Sequence, residues 1–232
     1  MSSRSFLVAG CLLATRCIPY TPPTRALPLE TAAPVGDGRT GVQVEGAAFA
    51  SGNSELASAG LRARRGVGRD TDVSIESTVM RAGYATSDRF DTWAQRLGAK
   101  RRIARGFALE GGLGGGAFSG GGFGAPDVGA IASWDNGILE PFAAARGSLS
   151  IPVVRRDIVV DSAARPPRVT WFGALAIGAR VPIGPRGCRC AAPAGDDVRG
   201  ALLFGGGWTW FGDFFGNSGR IDALAAAGEI TF

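Results

Sequence analysis

The last thirteen residues, 220–232, alternate in character with period two. Leu224, Ala226, Gly228, Ile230 and Phe232 fall on one face, and Glu229 and Thr231 fall on the other. Successive side chains of a strand point to opposite faces, so this pattern specifies a strand with one apolar side. Such a strand cannot persist alone, because its backbone donors and acceptors and its apolar face all need partners. The chain must supply further staves, and the same periodicity recurs upstream.

Ten alternating segments follow Arg39, at 41–51, 55–67, 72–84, 90–102, 107–118, 128–134, 139–153, 169–181, 201–214 and 220–232. Turn chemistry separates them at Gly52-Asn53, Gly68-Arg69-Asp70, Asp135-Asn136-Gly137 and Gly216-Asn217-Ser218-Gly219. The segment 169–181 is the cleanest, with Val169, Trp171, Leu175, Ile177 and Val181 opposed to Thr170, Ala174, Gly178 and Arg180. Arg81 interrupts the third segment, which predicts a bulge or a membrane rim there. Residues 119–126, rich in glycine, and 155–168, rich in charge, read as loops.

Composition narrows the fold and the chemistry. Glycine accounts for 37 of the 232 residues and lies inside the alternating runs without a Gly-X-Y period, which excludes collagen. Hydrophobic residues make up 45% of the chain, yet no apolar run approaches the roughly 18 residues of a spanning helix. Any membrane span must therefore be made of strands. The formal charge of +5 comes almost wholly from arginine, Lys100 being the one lysine. These arginines are scattered through the strands rather than gathered in a stripe, which argues against nucleic acid as a partner.

Histidine is absent, so no Ser-His-Asp triad can be assembled and Gly216-Asn217-Ser218-Gly219 is a turn, not a nucleophile loop. The run from Gly112 to Ala117 matches the loose dinucleotide fingerprint, but no helix follows to present its N-terminus to a pyrophosphate. Glu110 with Glu140 or Glu229 could be drawn as an acid–base pair, although satisfied ion pairs account for the same residues. The chain reads as a non-enzyme that uses no cofactor and no metal.

The closing alternation, with Leu224, Ile230 and the terminal Phe232 on one face, resembles the last strand of bacterial outer-membrane β-barrels. In those proteins that strand is the signal read by the barrel-insertion machinery. The resemblance covers 39–232 and is to the small-barrel class as a whole. It implies an all-β fold, a closed antiparallel up-and-down transmembrane β-barrel of about ten strands. It also implies the outer membrane of a two-membrane bacterium as location, with outer-membrane lipid and the insertion machinery as partners. With both ends of the barrel periplasmic, 119–126 and 155–168 become external and Asp135-Asn136-Gly137 becomes a periplasmic turn, while the long link 184–199 is a misfit. Tyr84, Phe90, Trp93, Trp171, Trp208 and Trp210 then mark an outer aromatic girdle, and Phe107, Trp134 and Phe232 an inner one.

Residues 1–26 read as a secretory signal, with Arg4 ahead of an apolar run and Thr24-Arg25-Ala26 at the cleavage site. Val8-Ala9-Gly10-Cys11 resembles a lipobox, and lipidation of Cys11 is the competing reading. Residues 27–38 read as a flexible lead-in. On the face turned from lipid, Glu45, Glu76, Glu110, Glu140 and Glu229 meet Arg62, Arg64, Arg96, Lys100, Arg146 and Arg180. Confinement makes an unpaired charge costly, so each carboxylate is expected to find a cation. Arg96 and Arg146, in mid-strand, are the expected constriction. Cys188 and Cys190 cannot complete a zinc site without histidine, and outside the cytoplasm they are expected to pair with each other. Together these features predict a largely plugged lumen and a structural or external binding platform, with 155–168 as the contact surface for an external ligand. A narrow pore for small polar solutes is the alternative.

Overall fold

The computed structural model describes residues 20–25, 27–51, 54–84, 89–160, 163–183 and 198–232. Its wall strands are β1 (Thr40–Ser51), β2 (Ser54–Gly66), β3 (Thr71–Tyr84), β4 (Arg89–Ala104), β5 (Phe107–Phe118), β6 (Gly121–Ser133), β7 (Glu140–Arg155), β10 (Thr170–Ile183), β11 (Arg199–Asp213) and β12 (Ser218–Thr231). Two short strands, β8 (Ile158–Val160) and β9 (Ala163–Arg165), form a hairpin within the link from β7 to β10. The wall strands follow one another around a closed ring, each antiparallel to both neighbours. Closure is made by β1 and β12, paired from Gly41 against Thr231 to Ala50 against Asp222. A closed ring leaves no free strand edge, which is the condition for a sheet to cross lipid.

Alternation divides the wall into two unlike surfaces. Outward positions carry Val44, Leu61, Ile75, Val79, Leu97, Leu113, Ile177, Leu202, Phe204, Leu224 and Ile230, all exposed. On the other face, Arg62 and Arg96 are each only 3% exposed, whereas outward Leu224 is 73% exposed. A chain folded against water does the reverse, since contiguous apolar surface of this extent is costly there. The outer solvent of this barrel is lipid. Within the belt, the Trp93 indole N–H donates to Ser77 Oγ at 3.2 Å, so a polar group that would otherwise face lipid is partnered.

One expectation needs correction. Residues 119–126 are not a loop, because β6 begins at Gly121 and only 119–120 turn the chain. The glycines hid the alternation, since a residue without a side chain shows no face. Gly115, Gly116 and Ala117 of β5 pair with Gly124, Phe123 and Gly122 of β6, and only Phe123, buried against Phe118, marks the inner side. Of the bulge and the membrane rim expected at Arg81, the bulge is absent. The register of Arg81 with β2 and β4 is unbroken, and it points outward to bind Asp91 at 2.7 Å.

Each wall strand runs between two ends. The base holds the start of β1, the end of β12 and the links 67–70, 105–106 and 134–139. The mouth holds the β8–β9 hairpin and the turn 214–217.

Candidate functional site: a lumen filled by the N-terminal segment

The stretch ahead of β1 runs down the inside of the barrel from mouth to base. At the mouth, Tyr20 bridges Arg168 in parallel fashion and sets its ring edge-on to Phe211, centroids 4.8 Å apart. The Thr21 amide donates to Thr170 Oγ1 at 3.0 Å, its hydroxyl donates to the Arg168 carbonyl at 2.6 Å, and Ser150 Oγ donates to the Pro22 carbonyl at 2.8 Å. Arg168 is itself fixed, bound to Asp213 at 2.8 Å and lying over the Phe215 ring. Midway, Leu27, Leu29, Glu30 and Ala32 are buried. At the base the chain reverses through Gly36 and Gly38, with φ of 101° and 69°, into the first residues of the wall. A side chain at Gly66 would strike the Gly36 carbonyl, so the wall is cut away where the segment turns. The lead-in expected to be flexible over 27–38 is thus packed inside the protein.

The segment's two buried charges, Arg25 and Glu30, lie 3.8 Å apart, and each takes further partners from the wall. Arg25 Nε and Nη2 donate to Glu45 at 3.1 and 2.6 Å, with Glu76 at 3.9 Å. Glu30 lies 2.5 Å from Arg62, 3.4 Å from Arg64 and 3.0 Å from Lys100. Lys100 also donates to the carbonyls of Thr31 and Ala33, at 3.1 and 2.9 Å. The Val35 amide donates to the Asp72 carboxylate at 3.2 Å, and the Ala32 amide donates to Ser133 Oγ at 3.1 Å, which in turn donates to Glu140. Wall carboxylates reach the same cations from other sides, Glu76 at 3.3 Å from Arg62, Glu229 beside Arg64 and Asp72 at 3.5 Å from Lys100. Without Glu30 the three would lose the carboxylate they share, and removing one member of a buried charge cluster is strongly destabilising. The wall and the segment are electrostatic complements.

The apolar side of the lumen is matched in the same way. Leu27 and Leu29 pack with Phe49, Met80, Phe142, Ala176, Leu203, Ala223 and Ala227. Glycines make the room for them. A Cβ on Gly207 would lie 2.8 Å from Leu27 Cδ1, one on Gly205 would lie 3.2 Å from Leu29 Cδ2, and one on Gly114 would lie 2.6 Å from Thr24 Cγ2. Gly98 and Gly112 instead leave space for the Arg96 guanidinium.

The eleven wall charges singled out from the sequence all point inward. Arg96 binds Glu76 at 2.6 Å and both Asp127 oxygens at 2.7 Å, and Arg146 meets Asp127 at 2.9 Å, so Arg96 and Arg146 converge on one carboxylate. Arg64 donates to Glu229, which also accepts from Arg180 at 3.1 Å, and Arg180 reaches Glu140 at 3.7 Å. Glu110 is buried, and its Oε1 has no hydrogen-bond partner among the described residues. Sequence reasoning missed Asp127, Asp72, Arg25 and Glu30. Asp127 was hidden by the misread loop, although it shares period two with Gly129 and Ile131 on β6. Arg25 and Glu30 were assigned to leader and lead-in, although Leu27, Leu29 and Thr31 alternate with Pro28, Glu30 and Ala32. Leu224 and Ile230 lie on the outer face of β12, and Phe232, just past its end, is likewise exposed. Cys11, Cys188 and Cys190 lie outside the described residues, as does Ala26 at the expected cleavage point. No group of residues able to hold a metal occurs among the described residues.

No protein-family model matches the chain, and no curated protein matches it in sequence. Among solved structures, the β domain of the Bordetella autotransporter BrkA is similar with a TM-score of 0.50 at 12% identity, covering 84% of this chain and 99% of that one. Neisserial surface protein A aligns over 84% of this chain and 100% of its own, at 14% identity and a TM-score of 0.39. The translocator domain of the autotransporter NalP from Neisseria meningitidis aligns over 84% and 87%, at 9% identity and a TM-score of 0.42. The BrkA likeness shows the fold, a small closed transmembrane β-barrel.

Replacing Glu30 by Gln leaves Arg62, Arg64 and Lys100 facing one another, and the expected loss is about 3–5 kcal/mol in urea unfolding of the detergent-refolded barrel. Adding Lys100→Met should restore part of it, and Arg81→Gln, at an exposed pair, should leave the midpoint where it was.

Proposed function

We propose that the chain is an outer-membrane barrel closed by its own N-terminal segment, serving as a rigid mount that presents its mouth, and whatever chain precedes Tyr20, at the cell surface. The carrying observation is the buried pairing of Glu30 with Arg62 and Lys100, at 2.5 and 3.0 Å, in mid-lumen. Solute cannot pass where the segment's backbone and side chains are bonded to facing walls. In this reading the base faces the periplasm, because an even number of strands returns both ends of the barrel to one side, and the mouth faces outward. The aromatic clasp of Tyr20, Phe172 and Phe211 then lies at the external surface, beside the β8–β9 hairpin with exposed Arg156, Asp157 and Arg165. Exposed loops on a rigid scaffold are where binding concentrates, so this rim is the contact surface for an external ligand.

The BrkA neighbour is by its name the β domain of an autotransporter. A segment threaded from mouth to base supports a reading in which the upstream chain leaves through the mouth. The same path bears on processing. Cleavage after Ala26 would remove Arg25 from Glu45 and Tyr20 from the mouth, so the mature chain retains Tyr20 to Arg25.

Two experiments test this. In a planar bilayer the intact refolded chain is expected to be silent, while a variant lacking 20–37 gives discrete conductance steps; equal steps from both would make the barrel a pore with a dispensable segment. N-terminal sequencing of protein recovered from outer membranes is expected to begin at or upstream of Tyr20, and a start at Leu27 would overturn the retained-segment reading.

A further inference from the structure

Outward arginines on the wall strands differ in their partners. Toward the mouth, Arg81 and Arg220 on the wall each have a carboxylate beside them, Asp91 at 2.7 Å and Asp222 at 3.2 Å, while Arg155, Arg156 and Arg165 at the rim itself are exposed. Near the base, Arg65 on β2 and Arg101 on β4 point outward with no carboxylate partner among the described residues. Arg65 donates only to the neutral Thr40 hydroxyl, at 2.9 Å. Two further exposed arginines without a carboxylate flank them, Arg69 in the link from β2 to β3 and Arg105 in the turn from β4 to β5. Of the acids at this end, Asp70, the one in the links beside these arginines, is taken by Arg102 at 2.8 Å, and Asp37 and Asp135 lie in other links. Beside that pair lies an open notch lined by Asp70, Arg102, Ile103, Ala104 and Arg105.

Their height on the wall identifies what faces them. Arg65 is Cα partner to Val73, Val73 to Ala99, and Arg101 to Thr71, so the cations sit one step below the apolar rows of the same strands. On β4 the outward series runs Trp93, Gln95, Leu97, Ala99, Arg101. Eight residues of tilted strand cover roughly 20 Å of membrane normal, close to the apolar band of about 25 Å in such barrels. Trp93 thus marks one edge of the hydrocarbon and Arg101 the other. Arginine stems can lie along the belt while the guanidinium groups reach the headgroup layer. A planar guanidinium pairs bidentately with phosphate, and an unpaired cluster of one sign attracts anions strongly.

We propose that Arg65, Arg69, Arg101 and Arg105 form a docking surface for an anionic phospholipid headgroup in the membrane leaflet at the base of the barrel. The inference rests on the transmembrane reading given above, and it adds a lipid preference and a place. The phosphodiester is held between Arg65 and Arg101, and Arg69 and Arg105 add positive charge beside it, toward the glycerol side. The acyl chains run up the apolar rows headed by Val73 and Ala99. A zwitterionic lipid brings its own cation to the same site and gains less.

Native mass spectrometry of the full chain, refolded in a nonionic detergent with equal phosphatidylglycerol and phosphatidylcholine, reads the preference directly, and a heated and unheated gel shift checks folding first. The folded barrel is expected to retain phosphatidylglycerol over phosphatidylcholine, with about a tenfold loss of that preference in the Arg65→Gln, Arg101→Gln variant. The control pair Arg81→Gln, Arg220→Gln, whose arginines are already neutralised, keeps it, and the Lys-for-Arg version of the double variant keeps most of it. Equal retention of both lipids by the folded wild type, or an undiminished preference in the double Gln variant, overturns the proposal. A chain that shows no gel shift at all overturns the transmembrane reading instead.

Discussion

A charge enclosed by a protein wall has to be matched inside that wall, and this constraint governs the lumen. Arg62 and Arg64 of β2 and Lys100 of β4 converge, and although each also has a wall carboxylate, Glu76, Glu229 and Asp72 respectively, the one carboxylate that all three share is brought by the N-terminal segment. Glu45 and Glu76 stand in the converse position and receive Arg25. Wall and segment are thus two halves of one network. The cost of separating them is the cost of leaving several buried charges uncompensated, which is far larger than that of breaking a surface pair. That asymmetry makes the segment a structural part rather than a tether.

The same barrel is apolar outside and polar inside, so its glycines have a different task from those of a water-soluble sheet. On the inner face they mark where something large passes. Gly205 and Gly207 lie beneath Leu29 and Leu27, while Gly98 and Gly112 lie beneath Arg96. Glycine in a strand interior is unfavourable in itself and is kept where backbone or side chain must approach closely. Stability weakened in the strands is offset by the packing of the segment, which fills a space that a ten-stranded barrel would otherwise leave to water.

Much of this fold was legible because period two survives wherever side chains exist. The staves at β3, β4, β7, β10, β11 and β12 were visible from residues such as Ile75, Leu97, Ala145, Ile177, Phe204 and Ile230, and so was the inward set from Glu45 to Glu229. Legibility failed where the pattern has no side chains to carry it, at Gly121 to Ala125, and the loss of that half-strand hid Asp127. It failed again at Tyr20 to Ala33 for another reason. An apolar N-terminus followed by small residues and proline is equally the pattern of an export signal, and nothing local reveals that Arg25 and Glu30 have wall partners 20 to 70 residues away. Complementarity between a segment and the inside of a ring is a property of the closed structure. Leu27 and Leu29 at period two were the one local hint.

The most direct test of the central claim is amide hydrogen exchange along 20–38 in the refolded, membrane-inserted chain. The amides of Thr21, Ala32 and Val35 donate to wall side chains and are expected to exchange as slowly as those of β1 and β12. Exchange at the rate of an unprotected peptide, with the wall strands still protected, would show a barrel without a bound segment and would contradict the account.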